Sequence, residues 1–181
     1  MKIAYKKTWI SVFFLIAIEQ GIKIMINHFA LNKNTPILAP FLYFKPMFNR
    51  DYSWLNSMLQ LGINRWVHIA TVVIMIIFIY WFYRFLNQRI GNNNTINLLF
   101  ALVFSAAICS LLDKIFWNGS LDYILLKGFF TFDLKDVYIN IAIGLLILLL
   151  ILKNRALQRL DEQKLLKDFT KYILGIFKGK P

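Results

Sequence analysis

The chain alternates between long apolar segments and shorter polar ones. Four windows hold, or come close to, the roughly 20 mostly apolar residues that a helix needs to cross a bilayer. They cover residues 9–31, 66–86, 95–112 and 137–152. The last two are short, but tilting or local thinning of the bilayer accommodates such helices. The pattern predicts an all-α membrane protein with four transmembrane helices in a domain covering residues 1–152.

Composition supports lipid as the solvent of this chain. Hydrophobic residues make up 59% of it and the mean hydropathy is +0.57, too apolar for one soluble core. The net charge of +12 would suit a nucleic-acid-binding protein only if a polar domain carried the basic patch, and the sequence has none. We therefore expect membrane lipids and no nucleic acid as partners. The single Cys109 excludes an internal disulfide.

The basic residues predict an orientation. Thirteen of the 21 Lys and Arg residues lie at the two chain ends, near the end of the second window or in the linker that follows it, and seven lie in the other two connecting segments. By the positive-inside rule the thirteen face the cytoplasm, so both termini are predicted to be cytoplasmic. The basic start resembles a secretory signal but lacks a small-residue cleavage site, so we interpret it as a retained first span.

The two connecting segments on the predicted outer side, residues 32–65 and 113–136, are called the first and second outer segments, and they and the tail add smaller elements. Residues 32–65 combine three prolines with many aromatic residues, which indicates a small extracytoplasmic segment containing short β-strands. Residues 153–181 form a basic cytoplasmic tail. Between residues 157 and 177 it places apolar side chains at helical spacing, namely Leu166, Phe169, Ile173 and Ile176. This predicts a C-terminal amphipathic helix on the inner leaflet, with a solvated helix as the alternative.

Acidic residues beside the membrane are the candidate chemistry, because ionisable groups there are costly to keep. Asp113 directly follows the third window and Asp136 opens the fourth. If neighbouring antiparallel helices bring these ends together, two carboxylates meet and share a proton. One would then activate water as a base and the other would protonate a leaving amine. The alternative is an interfacial boundary residue and a helix cap.

Other polar residues have simpler interpretations. Glu19 and Lys23 are four residues apart and form a pair on one helix face, either as a structural ion pair or as groups that orient a site. Neither histidine has a second ligand at metal-binding spacing. Three aspartates of the second outer segment could hold a hard cation, but no clear ligand loop surrounds them. We expect neither a metal nor an organic cofactor.

Five sequence elements, in order, resemble the motifs of lipoprotein signal peptidase (signal peptidase II), a family of bacterial membrane aspartyl proteases. Glu19-Gln20-Gly21-Ile22-Lys23 is similar to the family's Asp-Gln-x-x-Lys, and Asn49-Arg50-Asp51-Tyr52-Ser53-Trp54 is similar to Asn-x-Gly-x-x-Phe. Cys109-Ser110-Leu111-Leu112-Asp113-Lys114 stands where the family has Gly-Asn-x-x-Asp-Arg. Leu121-Asp122-Tyr123 resembles Val-Asp-Phe, and Phe132-Asp133-Leu134-Lys135-Asp136 resembles Phe-Asn-x-x-Asp.

The resemblance implies an aspartyl endopeptidase of the bacterial cell membrane. Its implied substrate is a lipid-modified prolipoprotein, cut just before the lipidated cysteine. Asp113 and Asp136 fall on the expected catalytic pair. The residues expected to bind substrate or support the pair are Glu19, Lys23, Asn49, Ser110, Lys114 and Asp133.

Several positions depart from the family pattern. Lys114 replaces an arginine and lacks its planar two-pronged contact. Asp133 replaces an asparagine and is expected to perturb the titration of a nearby carboxylate pair. A relative that binds lipoprotein or signal peptide without cleaving it is therefore the alternative function. A small transporter would need polar residues through the membrane's full depth, which residues 66–86 do not supply.

Overall fold

A computed structural model describes residues 2–152 and 162–178 of the chain. The predicted tail residues 153–161 and 179–181 lie outside the described residues. Four helices within the described part are long and apolar enough to cross a membrane. They are α1 (Lys2–Phe29), α3 (Arg65–Ile90), α4 (Asn94–Leu112) and α5 (Leu134–Ile151). The prediction of four transmembrane helices is confirmed.

Smaller helical elements complete the chain. Helix α2 (Trp54–Leu59) lies in the first outer segment, and α6 (Glu162–Phe177) follows the four spans. Helix α4 continues into a π-helical turn at Asp113–Trp117, so the third span extends beyond its predicted end at residue 112.

Polar residues set the starts of three spans by accepting backbone hydrogen bonds that a helix cannot satisfy internally. The side chain of Asn64 accepts from Val67 N at 3.1 Å before α3, and that of Asn93 accepts from Ile96 N at 3.1 Å before α4. Asp133 does the same for α5, and this cap lies within the candidate site described below.

Helix α4 is the central helix and packs against α1, α3 and α5. Its inward residues Ala101 and Phe104 are almost completely buried. Large apolar side chains on the outer surfaces stay open, including Phe13 at 68% and Ile74 at 65% exposure. A bundle that buries its small core yet exposes aromatic and aliphatic side chains along whole helices is built for lipid surroundings.

A four-stranded antiparallel sheet joins the two outer segments. Its order is β1 (Thr35–Leu38), β2 (Leu42–Asn49), β3 (Ser120–Leu126) and β4 (Phe130–Phe132). Strands β2 and β3 come from different segments, and their register pairs Asn49 with Ser120 and Met47 with Asp122. Leu121 and Tyr123 pack on Ile26 of α1, which fixes the sheet at one end of the bundle. The predicted β-containing segment is confirmed.

Helix α6 packs against α3 through an aromatic cluster. Phe169 is 8% exposed and contacts the rings of Phe78, Phe82 and Phe85. The ion pair between Arg89 and Asp168, at 3.0 Å, lies beside this cluster. The predicted C-terminal amphipathic helix is confirmed over its described residues.

Candidate active site

Lys23 lies at the centre of a buried ion cluster. Its Nζ is 3.0 Å from Glu19 Oε1, 2.5 Å from Asp113 Oδ2 and 2.7 Å from Asp133 Oδ2, and all four side chains are fully buried. The predicted Glu19–Lys23 pair is present. The lysine reaches beyond its own helix, however, so it ties α1 to the ends of α4 and α5.

Asp113 uses both carboxylate oxygens in this cluster. Gln20 Nε2 donates to Oδ1 at 3.1 Å, and Trp117 Nε1 holds Gln20 in place by donating to its Oε1 at 3.0 Å. The Oδ2 atom faces Lys23 and also lies 3.2 Å from Lys135 Nζ. Asp113 is therefore a buried, charge-paired group that connects spans.

The first turn of α5 supplies three charged residues. Asp133 and Asp136 form a reciprocal cap in which each side chain accepts from the other's backbone N–H, at 3.3 and 3.2 Å. Lys135 turns its ammonium group back onto Asp133. The cap fixes the positions of the Asp133 and Asp136 carboxylates relative to each other.

Ser120 links the cluster to strand β3. Its Oγ accepts from Lys135 Nζ at 2.8 Å and has one hydrogen to donate. Asp122 Oδ1, at 2.7 Å, is the nearest of three carboxylate acceptors, the others being Asp113 at 3.1 Å and Asp133 at 3.2 Å.

Asp122 and Asp136 come together at the wall of a cavity. One carboxylate oxygen from each of Asp122, Asp133 and Asp136 lies within 4.8 Å of the other two. Of these three residues, Asp122 and Asp136 line a cavity of about 470 Å³ beneath the sheet. The separation suits a pair of carboxyl groups that act on one bound water.

The other lining residues come from several elements. Polar groups on the cavity wall include Asn49, Ser110, Lys114, Ser120 and Lys135, and Tyr52, Phe130 and Thr131 add aromatic and edge-strand surface. Lys114 Nζ donates to Ser110 Oγ at 2.8 Å, so these two predicted supporting residues form a pair. Asn49 Oδ1 accepts from Asp51 N at 3.0 Å, which shapes the loop after β2.

A second, apolar groove of about 270 Å³ leads away from this cavity between α3, α4 and α5. It is lined by Val72, Met75, Ile79, Val103, Ala106, Ala107 and Ile139, and it ends at Ser110, Lys135 and Asp136. Asp136 thus lines both the cavity beneath the sheet and the apolar groove.

Burial and neighbouring charges shift the two aspartates that lie outside the spans. Burial raises the pKa of Asp122 to about 6, although the positive charge of Lys135 opposes the rise and Asp133 adds to it. Burial alone would also raise the pKa of Asp133, but the ammonium groups of Lys135 and Lys23 outweigh it and hold that pKa below its usual range. Both groups are mainly ionised at neutral pH.

The three clustered carboxylates already have a cation among them. Lys135 bonds to Asp133 and its Nζ lies 3.8 Å from Asp122 Oδ1. The cluster gives no independent reason to assign a metal, and the metal-free site stays a prediction.

The geometry differs from the sequence-based pairing of Asp113 with Asp136. Asp113 is fully buried and bonded to Lys23 and Gln20, and it is not among the residues that line the cavity. Asp122 lines the cavity together with Asp136. The geometry therefore favours Asp122 as the partner of Asp136, while a catalytic role for Asp113 stays a prediction from sequence.

Sequence reasoning also missed Ser120 and Lys135. Asp122 could have been found, since it lies in the Leu121-Asp122-Tyr123 element with apolar neighbours on a short strand. Ser120 and Lys135 carry no such signal, because their importance comes from contacts across β3 and α5.

Fold and site together define an integral membrane protein with a carboxylate centre between four spanning helices and a small antiparallel sheet. Two solved structures of a bacterial membrane enzyme, determined by the in meso method at 2.3 and 1.9 Å, share this fold. They superpose with TM-scores of 0.69 and 0.66 at 17% and 18% identity. The matches cover 83% and 80% of this chain and 90% and 92% of those chains.

The family model of signal peptidase (SPase) II matches residues 11–152, and the chain belongs to this family. A lipoprotein signal peptidase from Sinorhizobium fredii (strain NBRC 101917 / NGR234) is 26% identical over 145 residues, which cover 77% of this chain and 84% of that protein. The family consists of bacterial membrane enzymes that are aspartic peptidases and process lipoprotein precursors. The resemblance seen in the sequence motifs is confirmed.

Proposed function

We propose that this protein removes the signal peptide from lipid-modified prolipoproteins in the bacterial cell membrane, with Asp122 and Asp136 as its catalytic pair. One observation carries the assignment of the pair. Among the acids clustered around Lys23 and Lys135, Asp122 and Asp136 line the cavity, whereas Glu19, Asp113 and Asp133 are fully buried. Family membership supports the reaction type.

The charges around the two carboxyl groups suggest a division of roles. Asp122 has the Lys135 ammonium 3.8 Å away, which favours its ionised form. No lysine or arginine within the described residues forms an ion pair with Asp136. Asp122 is therefore the general base and Asp136 carries the proton.

Cleavage then follows from these roles. A water between the two groups gives one proton to Asp122 as its oxygen bonds to the scissile carbonyl carbon. Asp136 gives its proton to the amide nitrogen as the C–N bond breaks, releasing an amine and a carboxylic acid. The reaction needs no redox change.

The surroundings of the pair suit a lipidated peptide. The groove between α3, α4 and α5 offers an apolar path for acyl chains that ends at Asp136. Edge strand β4 borders the cavity through Phe130 and Thr131, where an extended signal peptide would lie beside it. In this proposal the substrate lipid lies in the groove and the scissile bond in the cavity, both of which Asp136 lines.

The test uses purified protein and a diacylglyceryl-modified precursor. Asp122→Asn and Asp136→Asn should each lower cleavage at least about 100-fold, because each removes a proton-transfer group. Asp113→Asn keeps the shape of a buried group and serves as the comparison. Thermal unfolding of each variant in detergent separates lost chemistry from lost folding.

Two results would contradict the assignment. Full cleavage by both Asp122→Asn and Asp136→Asn would exclude the mechanism. If folded Asp113→Asn lost activity while Asp122→Asn kept it, the pairing inferred from sequence would be correct instead.

A relative that binds precursors without cleaving them is the second candidate, and one feature favours it. The lysines at positions 23, 114 and 135 crowd the carboxylates, and enough positive charge would leave both members of the pair ionised with no acid for the amine. Saturable binding of the lipidated precursor by the wild-type protein, with no product at any pH, would establish this function.

A further inference from the structure

Lys135 is a buried cation whose contacts are all within the protein. Its side chain is 11% exposed, its ammonium group donates to Asp133 Oδ2 and to Ser120 Oγ at 2.8 Å, and its Nζ lies 3.2 Å from Asp113 Oδ2. An ammonium group has three hydrogens to donate, and these two hydrogen bonds use two of them. Lys135 lines the cavity while these groups of the protein hold its ammonium group in position.

We propose that Lys135, acting through Ser120, is a positioning residue that keeps Asp122 the ionised and correctly oriented base of the carboxyl pair. The inference deepens the proposed peptidase function and rests on it for its catalytic meaning. Its structural content, the control of Asp122 by Lys135 and Ser120, can be measured separately.

Ser120 passes the influence of Lys135 to Asp122. Because Lys135 donates to Ser120 Oγ, the serine's hydrogen must point elsewhere, and Asp122 Oδ1 at 2.7 Å is its nearest acceptor. A hydroxyl that accepts from an ammonium group is a stronger donor toward a carboxylate. Asp122 Oδ2 receives no hydrogen bond from the described residues and is left to accept a proton from water.

The other charges near Asp122 show why a nearby cation is needed to keep it ionised. Asp133 and Asp136 lie close by on α5 and oppose a charged Asp122. Within the described residues, Lys135 is the cation within ion-pair distance of Asp122. Other titratable groups around the cluster include Asp113 and Lys114 at the end of α4, Glu19 and Lys23 on α1, and Tyr123 of β3, which donates to Glu19.

A simpler role for Lys135 is to neutralise Asp133, which it also contacts. The two roles differ at Ser120. If Lys135 acts through the hydroxyl, removing the hydroxyl changes Asp122 while the lysine is still present. If Lys135 only balances Asp133, the loss of Ser120 Oγ leaves the effect of the lysine on Asp122 intact.

The experiment is infrared titration of the full-length protein in detergent micelles. The carboxyl C=O band that disappears in Asp122→Asn reports the protonation of Asp122. In Lys135→Met the midpoint of this band should move upward by about one pH unit or more, because an opposite charge within a few ångströms is lost. Ser120→Ala should move it in the same direction, and the double variant should show less than the sum of the two shifts.

Lys33→Met is the matched control, since Lys33 is an exposed lysine of the first outer segment that is not part of the cluster. In this variant the Asp122 carboxyl band should have the same midpoint pH as in the wild-type protein. If Lys135→Met does not fold, Ser120→Ala decides alone, because it deletes a single oxygen. An unchanged midpoint in Ser120→Ala, or shifts that add fully in the double variant, would overturn the proposed chain.

Activity gives a second and separable measurement. In the cleavage assay the acidic limb of kcat/KM should move upward with the infrared midpoint in Lys135→Met, while KM for the precursor stays within about twofold. Infrared shifts in a protein that never cleaves would sustain the positioning of Asp122 and contradict the peptidase proposal. Cleavage by a protein whose infrared midpoints do not move in these variants would support the peptidase proposal and contradict the positioning of Asp122 by Lys135 and Ser120.

Discussion

At Asp113, contacts rather than location indicate the role of the side chain. The residue directly follows α4, as a catalytic group at the end of a span would. Its oxygens, however, bond to Lys23 and Gln20 of α1, nearly one hundred positions away in sequence. Removing one partner of a buried ion cluster leaves uncompensated charge, which is usually costly by several kcal/mol. Asp113 and Lys23 are therefore groups that join helices.

Asp122 leads to a pH prediction for the wild-type protein. Its pKa is raised to about 6, mainly by burial. As the proposed base it must be ionised, so kcat/KM should fall as the pH drops below about 6, by roughly tenfold per pH unit. The measurement is the initial rate of precursor cleavage at limiting substrate concentration, from about pH 4.5 to about pH 8.

The same series needs a test of folding at each pH. Intrinsic fluorescence or thermal unfolding should show a folded protein throughout the range in which the rate declines. A rate that stays level down to about pH 4.5 in folded protein would show that Asp122 is not the base.

At the scale of elements, the site depends on the pairing of β2 with β3. Gly119 lies just before Ser120 with a φ of +147°, and a Cβ there would lie 2.3 Å from the carbonyl oxygen of Asn49. Only glycine allows the two strands to approach this closely. The register that follows places Ser120 beside Asn49 and Asp122 beside Met47.

Gly119→Ala should therefore disturb both the strand pairing and the site. We expect a loss of about 1–3 kcal/mol in the free energy of unfolding, as for other overpacked positions. Precursor cleavage should fall as well, since Ser120 and Asp122 follow directly. Chemical or thermal unfolding and the cleavage rate are the measurements.

Gly128→Ala is the matched control for Gly119→Ala. Gly128 has a φ of +87°, but a Cβ there would meet nothing within 4 Å. It therefore carries the backbone strain without the collision. Equal losses in the two variants would mean that strain, and not the close approach of Asn49, makes Gly119 necessary.

At the scale of the whole molecule, the two ends of the bundle differ in character. The sheet and the carboxylates lie at one end. At the other, Tyr83 of α3 hydrogen-bonds Thr8 of α1 at 3.0 Å and Asn97 of α4 at 2.9 Å. Helix α6 packs on α3 near this second end, where Phe169 contacts Phe82 and Phe85. The distribution of lysines and arginines predicts that this end faces the cytoplasm.

Cysteine labelling tests this topology. The native Cys109 is fully buried and should not react, so single cysteines can be introduced without removing it. In intact cells, Lys33→Cys and Lys127→Cys should react with a membrane-impermeant maleimide added outside, because both positions are exposed on the outer segments. Asn92→Cys, in the linker between α3 and α4, should react only after the membrane is permeabilised.

Equal labelling of all three positions in permeabilised cells is the control for intrinsic reactivity. Labelling of position 92 from outside, with positions 33 and 127 protected, would reverse the proposed orientation and place the carboxylates on the cytoplasmic side.

Much of the fold follows from the sequence because membrane insertion depends on local composition. Apolar windows of sufficient length must become helices, since lipid leaves no other partner for their backbone groups. Asn64, Asn93 and Asp133 mark three helix starts through contacts only two or three residues away. The pair of Glu19 and Lys23 is predictable for the same reason, as both lie on one turn of a helix.

The pairing of charges across elements was decided by the tertiary structure. Sequence determined the four spans, the acidic positions at their ends and the motif order that indicated the family. It could not determine which of the five carboxylates pair with Lys23 or Lys135 and which of them line the cavity. Those pairings are set by Coulomb interactions, which depend on three-dimensional distance and burial. The approach of β3 to α5 brought Ser120 and Lys135 beside Asp122 and also beside Asp113, which Lys23 of α1 contacts from the other side.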